Sequence, residues 1–169
     1  MTFTIILSNG SGAPINPDLQ TYLQRYRYVV APSGSKPQDA FTLVPTASFI
    51  LWWDASLIPQ TTLADISSML DLTKVNVTWD SYARNYPHKV LPNKRFSDRF
   101  FGVPAFCAPA LQNARHLDEF FASAPLYRLP SDLNVSEGFR EYDSARLRTK
   151  AKAKPSLVRV FDPLTGLYR

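Results

Sequence analysis

Prolines divide this chain into short stretches. The sequence holds 14 prolines and only 6 glycines in 169 residues. Proline ends helices and cannot donate a hydrogen bond inside a sheet, so regular structure is confined to the stretches between prolines. We therefore expect an α+β fold, a small mixed domain of short helices and strands with long irregular, proline-punctuated extensions.

The first 80 residues carry the clearest patterns and are predicted to form a mixed α/β core. Thr2–Ser8 is apolar and β-branched, which predicts a first strand. An Asn-Pro-Asp sequence at 16–18 is typical of a helix start, and the helix is predicted to run to about Val29. Ser48–Trp53 is predicted as a buried strand and Phe41–Val44 as an edge strand or extended arm.

A second helix and a further strand complete this predicted core. Thr62 with Asp65 three residues later resembles a capping box, and an apolar face follows at helical spacing. Lys74–Asp80 then alternates apolar and polar residues, which predicts a half-buried strand.

No periodicity is visible in residues 81–108, where three prolines, followed by Pro109, alternate with aromatic residues. So long a stretch without regular structure is unusual in a compact domain. It is predicted to be an irregular aromatic and basic arm that packs on a partner. Its proposed partner-binding residues are Tyr82, Tyr86, Phe96, Phe100, Phe101 and Phe106.

Residues 109–169 are predicted to hold two helices, a basic stretch and a C-terminal hairpin. The first helix runs from Pro109 to about Ala124, and the second from Ser136 to the Lys/Ala stretch that Pro155 ends. Asp-Pro and Gly in the last residues are typical of a hairpin turn. Together, 1–80, 81–108 and 109–169 are predicted to form one domain.

Positive charge is concentrated in the second half of the chain. Residues 1–83 have four basic and six acidic residues, a net charge of −2, whereas residues 84–169 have fifteen basic and eight acidic residues, a net charge of +7. A basic half favours an acidic partner, such as nucleic acid, anionic lipid or an acidic protein surface. The alternative is that the high isoelectric point reflects only the compartment or the assembly.

Two basic clusters are the best candidates for contact with nucleic acid or another anion. Cations among aromatic rings could contact phosphates and stack on bases, although a solvated linker rich in Lys and Ala would look the same. The candidate residues are Arg84, Lys89, Lys94, Arg95 and Arg99 in the first cluster, and Arg146, Arg148, Lys150, Lys152, Lys154 and Arg159 in the second.

Candidates for catalysis are few. His88 and His116 are the histidines, and Cys107 is the single cysteine, with no sequence context that would lower its pKa. A small buried residue is the more common role for such a cysteine. No ligand spacing for a metal appears, and the Ser8–Gly12 loop lacks both phosphate-binding glycine motifs. We expect no catalytic residues, no metal and no cofactor, and hence no enzyme.

These features favour a non-enzymatic accessory subunit of a large assembly, held by extended arms. Its partners would be other protein subunits, with RNA or anionic lipid as further candidates. A mitochondrial ribosome-like or membrane complex is preferred, because basic, arm-bearing accessory subunits are common there. Intracellular rather than secreted localisation is expected, since no signal peptide and no membrane span is visible. An RNA/DNA-binding module and a viral structural protein are the alternatives.

Overall fold

Short strands account for much of the regular structure. The computed structural model describes residues 3–10, 14–81, 94–141, 161–162 and 167–168. The strands are β1 (Thr4–Ser8), β2 (Tyr28–Val30), β3 (Phe49–Asp54), β4 (Leu57–Pro59), β5 (Val75–Val77), β6 (Trp79–Ser81), β7 (Lys94–Phe96), β8 (Phe100–Pro104), β9 (Leu126–Arg128), β10 (Phe139–Glu141), β11 (Phe161–Asp162) and β12 (Leu167–Tyr168).

The helices are equally short. They are α1 (Pro17–Tyr22), α2 (Ala40–Leu43), α3 (Leu63–Met69), α4 (Ala108–Asn113), α5 (Leu117–Ser123) and α6 (Val135–Gly138), with 3-10 turns at Pro37–Asp39, Ala105–Cys107 and Ser131–Leu133. Side chains close the starts of two of them. Asn16 Oδ1 accepts the Asp18 N–H at 2.9 Å before α1, and Thr62 Oγ1 accepts the Asp65 N–H at 3.2 Å before α3.

Six strands form the main sheet, in the order β2-β1-β3-β8-β5-β9. β1 pairs in parallel with both β2 and β3, and β5 pairs in parallel with β9. β8 lies between β3 and β5 and is antiparallel to both. Consequently, all strands of this sheet except β8 have their carboxyl ends at one edge, and β8 begins at that same edge. We call it the carboxyl edge.

Three two-stranded antiparallel ribbons accompany the main sheet: β4 with β10, β6 with β7, and β11 with β12. In the last of these ribbons, Phe161 pairs with Tyr168. The β6–β7 ribbon continues from β5 at the carboxyl edge.

Both faces of the main sheet are covered. Alternate residues of β1 and β3, such as Ile5 and Trp53, pack with α1 and α3 in one hydrophobic cluster. Their neighbours Ile6 and Trp52 pack with α2, α4 and α5 in a second cluster. A strand buried on both faces is apolar without alternation, which explains why β1 and β3 read as continuous apolar runs.

The α+β class with short elements is confirmed, but several predicted boundaries are wrong. α1 ends at Tyr22 because residues 28–30 pair with β1 as β2 instead of continuing the helix. Phe41–Val44 is not an extended arm, since Phe41 belongs to α2 and is buried in the second cluster. The helix predicted from Pro109 is interrupted at Ala114, which is extended.

The segment 81–108 also differs from the prediction. Residues 82–93 lie outside the described residues, but 94–108 form β7, β8, a 3-10 turn and the first residue of α4. β8 is central in the sheet, and all five of its residues are buried. Residues 94–108 therefore hold regular structure, with β8 in the core, and their description as an irregular arm is wrong.

Candidate ligand-binding site

The carboxyl edge contains the point where the strand order reverses direction. From β1 the chain crosses to β2 on one side, and it later returns to β3 on the other side of β1. In open α/β sheets, ligands bind outside the carboxyl ends of the strands at such a switch point. The residues that end β1 and β3 and those that begin β8 lie at this point of the sheet.

Asp54 is the last residue of β3, and its carboxylate accepts three hydrogen bonds. Oδ1 accepts from the Ser56 N–H at 2.9 Å and from the Ser56 hydroxyl at 2.8 Å, and Oδ2 accepts from Arg99 Nε–H at 3.1 Å. The Asp54 N–H donates to the Arg99 carbonyl at 2.8 Å. These contacts fix the turn after β3 to the residue that precedes β8.

Two nitrogens of the Arg99 guanidinium group are held by residues at the end of β3 and after it. Besides the Asp54 contact, Nη2 donates to Ser56 Oγ at 2.8 Å. Its backbone N–H donates to Oγ of Ser97, a fully buried residue. The side chains of Arg99 and Asp54 remain 24% and 32% exposed. The ion pair is therefore positioned by the fold and is still reachable by a ligand.

Asn16 lies in the connection that leaves the carboxyl end of β1. It is only 8% exposed, and its Oδ1 is already used to cap α1. Its Nδ2 has no hydrogen-bond partner in the part of the chain that the structure describes. A buried amide without an acceptor is costly, by about 1–3 kcal/mol, so this group is suited to meeting an acceptor from a ligand.

A second cation stands at the same edge. Arg128 ends β9, and its Cζ lies 4.7 Å from the centroid of the Trp79 ring. Trp79 in turn stacks on Phe96, with centroids 4.7 Å apart and planes at 24°, and Phe96 meets Phe121 edge-on at 5.9 Å. The rings of Trp79 and Phe96 are thus engaged with one another and with Arg128 and Phe121.

Of the first predicted basic cluster, the structure places Arg99 at the carboxyl edge. Lys94 and Arg95 belong to β7 in the neighbouring ribbon. Arg84, Lys89 and the whole second cluster, Arg146 to Arg159, lie outside the described residues. The anion-contact prediction is therefore located in space only for Arg99, Lys94 and Arg95.

The predicted partner-binding rings differ in where the structure places them. Phe100 and Phe101 are fully buried in the chain's own core, so they are not available to a partner and that prediction is wrong for them. Phe96 is partly buried in the ring ladder described above. Phe106 is 65% exposed and remains a predicted contact, while Tyr82 and Tyr86 lie outside the described residues.

Cys107 and His116 do not join the carboxyl edge. Cys107 is buried near the end of β8 opposite to Arg99, and burial raises the pKa of its thiol. His116 is exposed before α5. His88 lies outside the described residues. Within the described ranges, no group of three or more His, Cys, Asp and Glu side chains could hold a metal ion.

Sequence reasoning missed the partners of Arg99. Asp54 comes directly after the apolar run that was correctly predicted as a buried strand. An acidic residue at that position was the sequence signal that could have marked Asp54 as a site residue. Ser56 and Asn16 gave no comparable signal, because their roles depend on Arg99 and on the path of the β1–α1 connection.

The chain matches no protein-family model and no curated protein sequence. Its fold is similar to that of A197 from STIV, with a TM-score of 0.52 and 13% identity over 77% of this chain and 83% of that chain. It is less similar to a glycosyltransferase involved in the glycosylation of the major capsid of PBCV-1, with a TM-score of 0.43 and 13% identity over 66% of this chain and 64% of that one. HddC from Yersinia pseudotuberculosis gives a TM-score of 0.45 and 11% identity over 76% and 89%. The first likeness shows a shared fold, and no conclusion follows from the weaker two.

These findings correct the predicted function. The interpretation as an accessory subunit of an organellar complex is wrong, because the fold is similar to that of a viral protein. The aromatic segment that was supposed to need a partner supplies the central strand β8 instead. The alternatives, a viral structural protein and an RNA/DNA-binding module, stay predictions, and these findings do not test the expected lack of enzymatic activity. No helix among the described residues is long and apolar enough to cross a membrane.

Proposed function

We propose that this protein binds a nucleoside diphosphate ligand, such as a nucleotide-linked sugar, at the carboxyl edge beside β1 and β3. The observation that carries the proposal is the Asp54–Arg99 pair at the switch point of the sheet. Crevices at such points are the usual ligand sites of open α/β sheets.

Arg99 is the proposed contact for the diphosphate. A guanidinium group presents several N–H donors in a planar fork that matches phosphate oxygens. Asp54 and Ser56 orient this fork at 3.1 and 2.8 Å, so little side-chain freedom remains to be lost on binding. Because the carboxylate of Asp54 already accepts three hydrogen bonds, its role is to position Arg99.

Asn16 is the proposed contact for an acceptor atom elsewhere on the ligand. Its Nδ2 carries two N–H donors, and a ligand oxygen or ring nitrogen would satisfy a buried group that is otherwise without a partner. The β1–α1 connection and the Asp54 turn leave neighbouring strands at the same edge, since the Ala55 N–H donates to the Ser8 carbonyl at 2.8 Å. One ligand could therefore reach both.

The reaction that suits such a ligand is transfer of the group attached to the diphosphate. The bond between that group and the terminal phosphate oxygen would break, its electron pair would stay on the diphosphate, and an acceptor hydroxyl would form the new bond and lose its proton. Arg99 would stabilise the charge that develops on the departing diphosphate.

Calorimetric titration of the full chain with the common nucleoside diphosphates tests the binding step. We expect at least one to bind more tightly than its parent nucleoside, and Arg99→Gln to weaken this binding at least about tenfold, as for loss of a charge-assisted hydrogen bond. Arg25→Gln is the matched control, because Arg25 is exposed near the start of β2, at the opposite edge. Equal affinity for nucleoside and diphosphate, or an unchanged Arg99→Gln variant, would contradict the proposal.

A further inference from the structure

We propose that Arg128, held over the ring of Trp79, forms a second anion subsite that binds a phosphate of the second substrate. The choice of a substrate phosphate as occupant rests on the proposed function, whereas binding of an anion at Arg128 does not.

The first argument is position. Arg128 ends β9, and its register partner is Val77 at the end of β5. The Leu129 N–H donates to the Val77 carbonyl at 2.9 Å, which fixes the backbone after Arg128 to the same edge. β8 and β9 are separated by β5 alone, so Arg99 and Arg128 leave the edge about 10 Å apart, the width of two strand spacings.

The second argument is availability. Arg99 is bound to Asp54, but the side chain of Arg128 is exposed and forms no hydrogen bond or ion pair with any residue in the described ranges. The nearest acid along the chain is the exposed Asp132, which is four residues away and forms no ion pair with it. The N–H donors of Arg128 can therefore turn to a ligand without first breaking a contact among these residues.

The third argument is support for the side chain. The contact with the Trp79 ring limits the positions that the guanidinium group can take. Its N–H donors are not used by this contact and can meet an acceptor. Trp79 is itself fixed, since its ring stacks on Phe96 and its backbone N–H donates to Asn134 Oδ1 at 3.3 Å. An exposed arginine with a fixed platform loses less freedom on binding than one that moves in solvent.

The occupant we favour is a small phosphorylated molecule and not a nucleic acid. Base stacking on single-stranded nucleic acid needs an open aromatic face. Trp79 already contacts Phe96 and Arg128, and Phe96 also contacts Phe121. Because both rings are engaged within the chain, the site favours recognition of an anion by Arg128 over stacking of a base.

Nuclear magnetic resonance of the ¹⁵N-labelled full chain tests the subsite, with inorganic phosphate as the probe and sodium chloride at equal ionic strength as the reference. We expect phosphate to shift the Nε–H signal of Arg128 and the indole N–H signal of Trp79 in a saturable way. Arg128→Gln should weaken the Trp79 response at least about tenfold, and Arg25→Gln should leave it unchanged. Shifts of equal size in chloride, or an unaltered response in Arg128→Gln, would overturn the proposal.

Two further titrations separate the possible failures. A single-stranded oligonucleotide that binds at Arg128 more tightly than phosphate, with an affinity that falls steeply with salt, would overturn the choice of a small ligand. In the second titration, nucleoside diphosphates are added and the Arg99 Nε–H signal is followed. If this signal does not shift while phosphate still shifts the Arg128 signal, the proposed function is contradicted and the anion subsite is supported.

Discussion

Asp54 and Arg99 are 45 residues apart in the sequence, yet Arg99 Nε–H donates to Asp54 Oδ2 at 3.1 Å. The contact joins the end of β3 to the beginning of β8, where the sheet changes from parallel to antiparallel pairing. The two side chains form an ion pair that is partly exposed to solvent. Its strength and its role in binding can be separated by experiment.

The first prediction concerns the stability that this pair provides. In a double-mutant cycle with Asp54→Asn and Arg99→Gln, we expect a coupling of about 0.5–1 kcal/mol, because both side chains are partly exposed and solvent screens their attraction. Urea unfolding of the four proteins measures the coupling. Additive effects of the two substitutions would show that the pair contributes no coupling energy to folding.

The second prediction concerns Gly138, the last residue of α6. A Cβ atom at this position would overlap the backbone carbonyl of Asp132, which cannot move as a side-chain end could. We expect Gly138→Ala to lower the free energy of unfolding by about 3 kcal/mol or more. Gly10→Ala is the control, since nothing lies within 4 Å of a Cβ there, and thermal unfolding compares the two. Equal stability of both variants would refute the predicted overlap.

The third prediction concerns pH. Tyr22 donates its hydroxyl to the Thr61 carbonyl, and burial, with smaller contributions from Tyr26 and Asp65, raises the pKa of Tyr22 well above its usual value. Above about pH 10 the unfolded chain loses this proton while the folded chain keeps it. Stability is therefore complete below that pH and falls as pH rises, by up to about 1.4 kcal/mol per pH unit.

Tyr22→Phe removes this titration and is the control for the pH experiment. The variant should be less stable near neutrality by about 1 kcal/mol, because the Thr61 carbonyl loses its donor. Its stability should fall less steeply than that of the parent protein in alkaline solution. Identical slopes in urea unfolding series above pH 10 would mean that Tyr22 does not contribute the predicted loss.

The fourth prediction concerns Cys107. Burial raises the pKa of its thiol, and the thiolate is the reactive form. We expect iodoacetamide to modify the native protein at pH 8 much more slowly than the urea-unfolded protein, as followed by mass spectrometry. Comparable rates in the two states would show that the thiol is accessible in the folded chain.

Elements with a strong local signal could be predicted from the sequence. β1 and β3 were recognisable as apolar runs, since each is buried on both faces of the sheet. α3 was recognisable from Thr62 and Asp65, which form the cap that the sequence suggested. In these cases the local preference and the tertiary environment agree.

Elements that depend on tertiary contacts could not be predicted. Tyr28–Val30 continues a helical pattern in the sequence but pairs with β1 as a strand. β8 shows no alternation because all of its residues are buried, and its aromatic residues therefore suggested a partner instead of a core. Gly102 within β8 lies against the ring of Phe49, so that an added Cβ atom would lie 2.5 Å from Cζ of Phe49. The residues next to Gly102 in the sequence do not indicate this contact.

The candidate site was predicted only in part. Arg99 was identified as an anion contact from its basic and aromatic neighbours, but Asp54 and Ser56 were not associated with it. The sequence separation of 45 residues hides this relationship until β3 and β8 are paired. Arg128 was overlooked for the same reason, since its platform Trp79 belongs to a different strand.

The late position of β8 in the chain has a consequence for synthesis on the ribosome. Among the residues that the structure describes, β5 pairs with β8 and β9 and with no earlier strand. Before residue 100 has been synthesised, β1, β2 and β3 can pair with one another, but β5 has no partner strand for its backbone hydrogen bonds. The second half of the sheet must therefore await the emergence of β8 from the exit tunnel, and a chaperone that shields apolar strands would have its greatest effect in that interval.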